Sequence, residues 1–282
     1  MPTKISIAIP ASVASDTPHL REKTAKIGLI GRAAAIFRIN EIIVYPDNPK
    51  AHQTADGELV AMLLSYIETP QYLRKALFKI QPELQYAGIL PPLRTPHHPL
   101  NRRAKLLKVG EYREGVTVSQ NGTGTLVDIG VERPAVIADT QLSMNKRVTV
   151  RILKIDTQVE VGLANREEKP EYWGYRVTLE RRPLGKIVKE RGFSLTIATS
   201  KYGKPYRDVA KDLAERWKIA DTAAVAFGPP TQGLHEIARH EGLELDRIMD
   251  FVVNMIPNQG TETVRTEEAL VASLAILNVA SL

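Results

Sequence analysis

The chain has 282 residues, 43% of them hydrophobic, no cysteine and a formal net charge of +6. This length allows one large domain or two ordinary ones, with ample apolar material for a core. The lack of cysteine excludes disulfides, thiolate chemistry and cysteine-based zinc sites, and it fits a cytoplasmic protein. The run from Ile5 to Pro10 is too short for the apolar region of a secretion signal. No apolar run approaches the ~18 residues of a membrane span, so a soluble protein is expected.

Residues 5–9 alternate apolar and small side chains and read as a first strand. A helix is predicted over 19–37. Leu20, Ile27, Ile30, Ala34 and Phe37 form one apolar stripe along it, and Ala25, Leu29 and Ile36 form a second on the opposite face. Such a helix should be buried on two sides. Arg32 lies within the second stripe, where a cation needs a partner or a function. Residues 41–45 read as a second strand, followed by helices over 57–67 and 71–78. The run from Gly88 to Pro99 holds four prolines in twelve residues and reads as a rigid linker. His97 and His98 within it are expected to be solvated or phosphate-facing. From Arg94 to Arg113, six cations (Arg94, Arg102, Arg103, Lys105, Lys108 and Arg113) stand against one acid, Glu111. Such a cluster attracts polyanions, RNA or DNA first, although a solvated loop has the same composition.

Past Gly110 the pattern changes to short strands over 111–119, 125–131, 135–138, 147–155 and 158–163. Asn121-Gly122 and Gly124 supply turn chemistry between the first two. Five short strands without a helix suggest a small β-barrel. The OB-fold is such a barrel, and its usual ligand is single-stranded nucleic acid or oligosaccharide; a barrel serving as a spacer gives the same pattern. After residues 165–170 an α/β rhythm returns. Strands are predicted over 175–179, 194–198, 223–227 and 251–256, and helices over 184–190, 206–217, 235–240 and 267–279. The last helix is apolar almost all round and must be buried deeply or against a second subunit. The expected fold is an α/β domain, residues 1–92 and 168–282, with a small barrel inserted at 93–167.

Three loops, at 199–203, 228–234 and 257–265, each follow an apolar strand. In open α/β sheets ligands bind beyond the carboxyl ends of the strands. Glycines such as Gly228 and Gly233 let backbone N–H groups approach a ligand closely. The third loop is dense in polar groups: Asn258, Gln259, Thr261, Glu262, Thr263 and Arg265. Thr266, Glu267 and Glu268 then carry helix-start chemistry, a hydroxyl and two acids at the positive end of the dipole. No P-loop, no dinucleotide-binding glycine fingerprint after the first strand and no serine nucleophile elbow is present. His235-Glu-Ile-Ala-Arg-His240 places its histidines five apart, off the single helical face that a zinc-protease pair needs. No metal is expected.

The runs Thr69-Pro-Gln-Tyr-Leu-Arg74, Ile89-Leu-Pro-Pro-Leu-Arg-Thr-Pro-His-His-Pro99, Gly124-Thr-Leu-Val-Asp-Ile-Gly130, Tyr172-Trp-Gly-Tyr175, Phe227-Gly228 and Gln259-Gly-Thr-Glu-Thr-Val-Arg-Thr-Glu-Glu-Ala269 span nearly the whole chain. On these the sequence resembles the SPOUT class of RNA methyltransferases, and within it the archaeal and eukaryotic type with an inserted OB-like barrel. The resemblance implies a SPOUT-type α/β fold with a C-terminal trefoil knot holding S-adenosyl-L-methionine. It implies cofactor contacts from Thr199, Ser200, Gly228, Gly233, Ile256, Pro257, Asn258, Gln259 and Thr261. It also implies a homodimer with the active site at the interface, where Arg32 reaches the partner's cofactor. Glu262 and Arg265 are candidates for handling the target base or its phosphate. The substrate would be a base or ribose of ribosomal or transfer RNA. The alternative is an RNA-binding assembly protein with a cofactor-binding knot and little catalysis.

Overall fold

A computed structural model describes residues 4–48, 50–122, 124–166, 169 and 171–280. The chain divides into two compact units. One comprises Met1–Ser65, Glu83–Pro91 and Tyr175–Leu282, and the other Tyr66–Pro82 and Pro92–Gly174. The expected junction at 167 and 168 lies outside the described residues. Residues 66–82, expected with the α/β domain, belong with the barrel.

The first unit is built on a parallel sheet. Its strands are β1 (Lys4–Pro10), β2 (Glu41–Tyr45), β8 (Arg176–Leu179), β9 (Leu195–Pro205), β10 (Thr222–Ala226) and β11 (Phe251–Asn254), in the order β11-β9-β10-β1-β2-β8. β1, β2 and β10 carry almost unbroken apolar runs, as strands covered on both faces must. Helix α1 (Leu20–Ile36) buries Ile27, Ile30 and Ala34 completely. Its second stripe is not covered in the single chain: Leu29 is 54% and Ile36 58% exposed. Between the later strands run α4 (Leu184–Arg191), α5 (Tyr206–Ile219), α6 (Leu234–His240) and α7 (Leu245–Ile248). The last of these is short and unmarked by any periodic stretch of sequence. Helix α8 (Thr266–Ala280) packs against α1. It buries Leu270, Leu274 and Leu277 and leaves Val271 and Val279 exposed, so one face rather than the whole helix is interior. Lys26 of α1 is buried, with its Nζ 2.7 Å from Asp16 Oδ1 and 3.5 Å from Glu267 Oε2.

In the second unit, β3 (Tyr112–Asn121), β4 (Gly124–Asp128), β5 (Ala135–Ala138), β6 (Arg147–Ile155) and β7 (Val159–Leu163) form a closed barrel in the order β3-β4-β5-β7-β6. Inward side chains including Val127, Ile137, Val150, Ile152 and Val161 fill it. Leu107, from the basic window, enters the same core. Helix α2 (Thr54–Glu68) ends in this unit, and α3 (Gln71–Leu77) follows it. The Tyr72 hydroxyl of α3 donates to the Glu114 carbonyl at 2.8 Å.

A buried charge network holds this unit together. Glu68 receives Arg147 at 2.6 and 3.2 Å and Arg166 at 2.6 Å, and its carbonyl lies 2.9 Å from His97 Nε2. Arg147 continues to Glu114 at 2.6 Å, which also accepts the Trp173 indole N–H and the Thr149 hydroxyl. His97 is therefore fully buried and structural rather than solvated or phosphate-facing. His98 Nε2 lies 2.7 Å from the same Glu68 carbonyl, and burial lowers its pKa to about 4. The proline-rich run is ordered around this network rather than serving only as a spacer. Burial opposes ionisation of Glu68, but Arg147, His97 and Arg166 outweigh it and hold the carboxyl far below its usual range. A depressed carboxylate pKa stabilises the fold above the unfolded value, ~4.3, and that contribution is lost on acidification. Glu68→Gln should therefore destabilise the protein by about 3 kcal/mol at neutral pH, because it removes the buried carboxylate that Arg147 and Arg166 share. Urea unfolding at pH 7 and at pH 3 should show the gap between the two proteins narrowing in acid.

Candidate active site

β11, β9 and β10 are neighbours in the sheet, so the segments leaving their carboxyl ends converge. The first is not the simple loop that the sequence suggests. β9 pairs with β11 at Ile197 and Ala198, then again at Lys204 and Pro205, against consecutive residues Val252 and Val253. Residues 199–203 thus bulge out of the ladder as a five-residue excursion. Gly203 closes the excursion: a Cβ there would lie 2.7 Å from the backbone carbon and oxygen of Val252 and the nitrogen of Val253. The Asn254 amide donates to the Lys201 carbonyl at 3.0 Å, and its Oδ1 accepts from Ile256 N at 3.0 Å, tying the first and third segments together.

The second segment is fixed from two sides. The buried Tyr45 hydroxyl donates to the Phe227 carbonyl at 2.7 Å, and burial holds its pKa far above the usual value, so it stays a neutral donor. The Thr266 hydroxyl donates to the Gly228 carbonyl at 2.9 Å. The third segment is shaped by its own side chains. Gln259 Nε2 donates to the carbonyls of Thr261 and Glu262, at 2.9 and 3.0 Å, and Asn258 adopts a left-handed φ of 62°. Glu268 accepts from Arg265 N at 2.9 Å, the reciprocal half of a helix cap.

Together these segments and the first two turns of α8 enclose a cavity of about 340 Å³. Of the sequence-predicted cofactor residues, Thr199, Ser200, Gly228, Gly233, Ile256 and Gln259 line it, whereas Pro257, Asn258 and Thr261 do not. Glu262 and Arg265 are exposed and outside the lining; Thr263 and Val264 between them are in it. A general-base role for Glu262 would call for burial, which the single chain does not give it. Arg32 is half-buried and does not line this chain's own cavity. The lining also includes Lys201, Tyr202, Gln232, Glu236 and Asn254, and Thr266, Ala269 and Ser273 of α8. The last three lie at positions i, i+3 and i+7, one helical face, a signal present in the sequence but masked by the apolar residues around it. Beside the cavity, Ser200 Oγ lies 3.3 Å from His235 Nδ1, and His235 Nε2 lies 3.4 Å from Asp246 Oδ2.

In the second unit, Arg94, Arg102, Arg103, Lys105 and Lys108 are exposed. Arg113 departs from this group. It is 1% exposed, pairs with Glu111 at 2.8 Å and donates to the Asn101 carbonyl at 3.0 Å, so its charge is spent internally.

Residues 4–277 match the family model described as "Putative RNA methyltransferase". The chain belongs to this family. Over 98% of its length it is 34% identical to the human 28S rRNA (uridine-N(3))-methyltransferase, covering 78% of that protein. It is equally 34% identical to an uncharacterized protein of Haloarcula marismortui, with 97% of this chain and 98% of that one aligned. The Drosophila melanogaster 28S rRNA (uridine-N(3))-methyltransferase is 32% identical over 98% of this chain and 62% of its own. As a member of an RNA methyltransferase family, the chain requires a methyl donor, and the cavity beyond β9, β10 and β11 is where its fold offers a ligand site.

The tight seat of Gly203 gives a direct check on this site. Gly203→Ala should force the excursion off Val252 and destabilise the protein by roughly 1–3 kcal/mol, the ordinary cost of overpacking. Thermal unfolding would measure the loss, and ligand binding to the cavity should weaken with it.

Proposed function

We propose that this protein is an S-adenosyl-L-methionine-dependent methyltransferase that modifies the N3 position of a uridine in ribosomal RNA. The observation that carries the reading is the cavity bounded by three segments from neighbouring parallel strands, in a chain whose family and relatives are RNA methyltransferases. The residues present fit an amphiphilic donor. Its lining combines the buried apolar side chains Phe227, Leu234 and Met255 with the exposed Lys201, Tyr202 and Glu236. When bound, the cofactor would supply an electrophilic methyl group on its sulfonium; transfer to the base nitrogen would release S-adenosylhomocysteine and the N3 proton.

The chain's own task is alignment, since orientation alone is worth several kcal/mol of barrier. Thr199, Ser200, Gly228, Gly233, Ile256 and Gln259 would hold the donor, and Pro257, Asn258 and Thr261 would support the third segment. We extend the proposal to a SPOUT-type trefoil knot built from the three segments and to a homodimer. Supporting the dimer are the exposed Leu29 and Ile36 of α1 and Val271 and Val279 of α8, on two helices that pack together. Arg32, at helical spacing from Leu29 and Ile36, would then reach the partner's cleft and stabilise negative charge on the target base. Glu262 and Arg265, exposed at the rim, would face the RNA. The barrel is read as OB-like on its strand order, and the exposed Arg94, Arg102, Arg103, Lys105 and Lys108 as its RNA-contacting cations.

Incubation with methyl-labelled donor and ribosomal RNA from cells lacking the protein should label the RNA. Reverse transcription should then stop at a single uridine, because N3 lies on its pairing face. Calorimetric binding of the donor without any label transfer would instead favour an assembly protein. Arg32→Ala should lower turnover roughly 100-fold or more, the scale of a lost transition-state donor, with donor affinity unchanged. Replacing the five exposed cations by glutamine should flatten the salt dependence of RNA binding by about 0.7–0.9 logarithmic units of slope for each phosphate no longer neutralised; filter binding across a salt series reads this directly.

A further inference from the structure

The end of β9 and the start of α5 carry a distinctive run of side chains. From Lys201 to Arg207 it reads Lys-Tyr-Gly-Lys-Pro-Tyr-Arg, three cations and two tyrosines in seven residues without an acid. β9 is buried from Leu195 to Ala198 and turns outward at Lys201. Lys201, Tyr202, Lys204 and Arg207 are all exposed. The nearby acids are Asp208, 3.3 Å from Arg207 Nε, and Glu236 elsewhere in the cavity lining. Of the two aromatic rings in that lining, Phe227 is buried, whereas Tyr202 is 75% exposed.

The backbone beneath these side chains is held in place. The Lys201 carbonyl accepts from Asn254 Nδ2 at 3.0 Å, Tyr202 N donates to Ser200 Oγ at 3.2 Å, and Gly203 is seated against the Val252 backbone. The fold therefore fixes an aromatic ring in water, on the border of the ligand cavity. Lys201 Nζ lies 5.1 Å from the centre of the Tyr202 ring, and the His235 ring meets it edge-on at 6.5 Å between centroids. Neither contact covers the ring. An aromatic side chain stabilises a fold by being buried, so packing within the chain does not account for Tyr202.

Cations interleaved with exposed rings are the chemistry of single-stranded nucleic-acid grooves. The cations track the phosphates, and a ring stacks on a base of any identity. A base whose N3 is to be modified must be unpaired. Taking it out of its stack costs a few kcal/mol, which stacking on a protein ring offsets.

We infer that the segment from Lys201 to Arg207 is an RNA-contacting element of the first unit. Tyr202 stacks on an unpaired base at the target site, and Lys201 and Lys204 neutralise the adjacent phosphates. This placement rests on the proposed methyltransferase function and extends it by assigning named side chains to the base and to the backbone of the RNA.

The test compares the wild type, Tyr202→Phe, Tyr202→Leu and the double variant Lys201→Gln/Lys204→Gln as full chains, with ribosomal RNA from cells lacking the protein as substrate. Tyr202→Leu should lower kcat/KM for the RNA by about 5–150-fold, the scale of one lost base–aromatic stack. Tyr202→Phe should stay within about twofold of the wild type, because the ring stacks and the hydroxyl does not. The double lysine variant should flatten the salt slope of filter binding by about 0.7 logarithmic units for each phosphate no longer neutralised. Calorimetric affinity for S-adenosylhomocysteine and the thermal midpoint should hold in all three variants. Unchanged kcat/KM in Tyr202→Leu, or an equal fall in Tyr202→Phe, would overturn the stacking role. A fall in S-adenosylhomocysteine affinity that matches the fall in kcat/KM would place Tyr202 in the donor site and overturn it too. A wild type that labels no RNA would overturn the methyltransferase reading and this inference with it, a result distinct from labelling that is indifferent to Tyr202.

Discussion

The site depends on a change of register. β9 and β11 pair at Ala198 and Val252, then at Lys204 and Val253, so one strand spends five residues where its neighbour spends none. A bulge of one residue re-aims a side chain. An excursion of five builds a wall, and here it carries Thr199 to Tyr202 into the lining of the cavity. The excursion is possible because Gly203 lets the strand return against the Val252 backbone. Asn254 then clamps the excursion to the start of the third segment through the Lys201 carbonyl. The polar density of the loops is a consequence of this geometry: backbone groups that leave a ladder need partners, and Asn254, Gln259 and Thr266 supply them.

The second unit solves a different problem. Its barrel is small, and the segments around it are irregular, so apolar burial alone defines their positions weakly. The network from Glu68 through Arg147 to Glu114 and Trp173 fixes them by direction instead. Each acid receives several donors, which is the condition under which buried ions are tolerated. Beside it, Lys169 Nζ lies 3.2 Å over the Trp173 ring and 4.6 Å from the Tyr112 ring centroid. Burial pulls its pKa down to about 7, opposed by Glu114, while the two ring faces favour the charged form.

Much of this architecture is legible in the sequence because its signals are local. Barrel strands alternate and are separated by turn residues, and β5 and β6 fall on the predicted residues. The three ligand-side segments stand out because polar residues interrupt long apolar runs. What escapes the sequence is non-local. Nothing near Gly203 announces that β9 resumes beyond the loop. Arg113 looks like one cation among six, and only the fold turns it inward to Glu111 and Asn101. His97 sits in a proline-rich run that reads as solvated until Glu68, twenty-nine residues earlier, is placed beside it. Ser273 is hidden by the opposite effect, a small residue in an apolar helix, unremarkable until the space next to it is known.

The strand order also governs how the chain is made. β1 lies between β2 and β10, and β2 lies between β1 and β8. Ile5 must wait for Ala223 and Glu41 for Arg176 before either edge is closed. At ribosomal rates of roughly 5–20 residues per second, an apolar strand pair stays open on both sides for many seconds. The barrel strands, all between Tyr112 and Leu163, are complete well before then. Synthesis thus delivers a finished barrel while the catalytic sheet is still two exposed ribbons. The ligand cavity, whose last wall comes from α8, can form only after residues 199–273 have all left the ribosome.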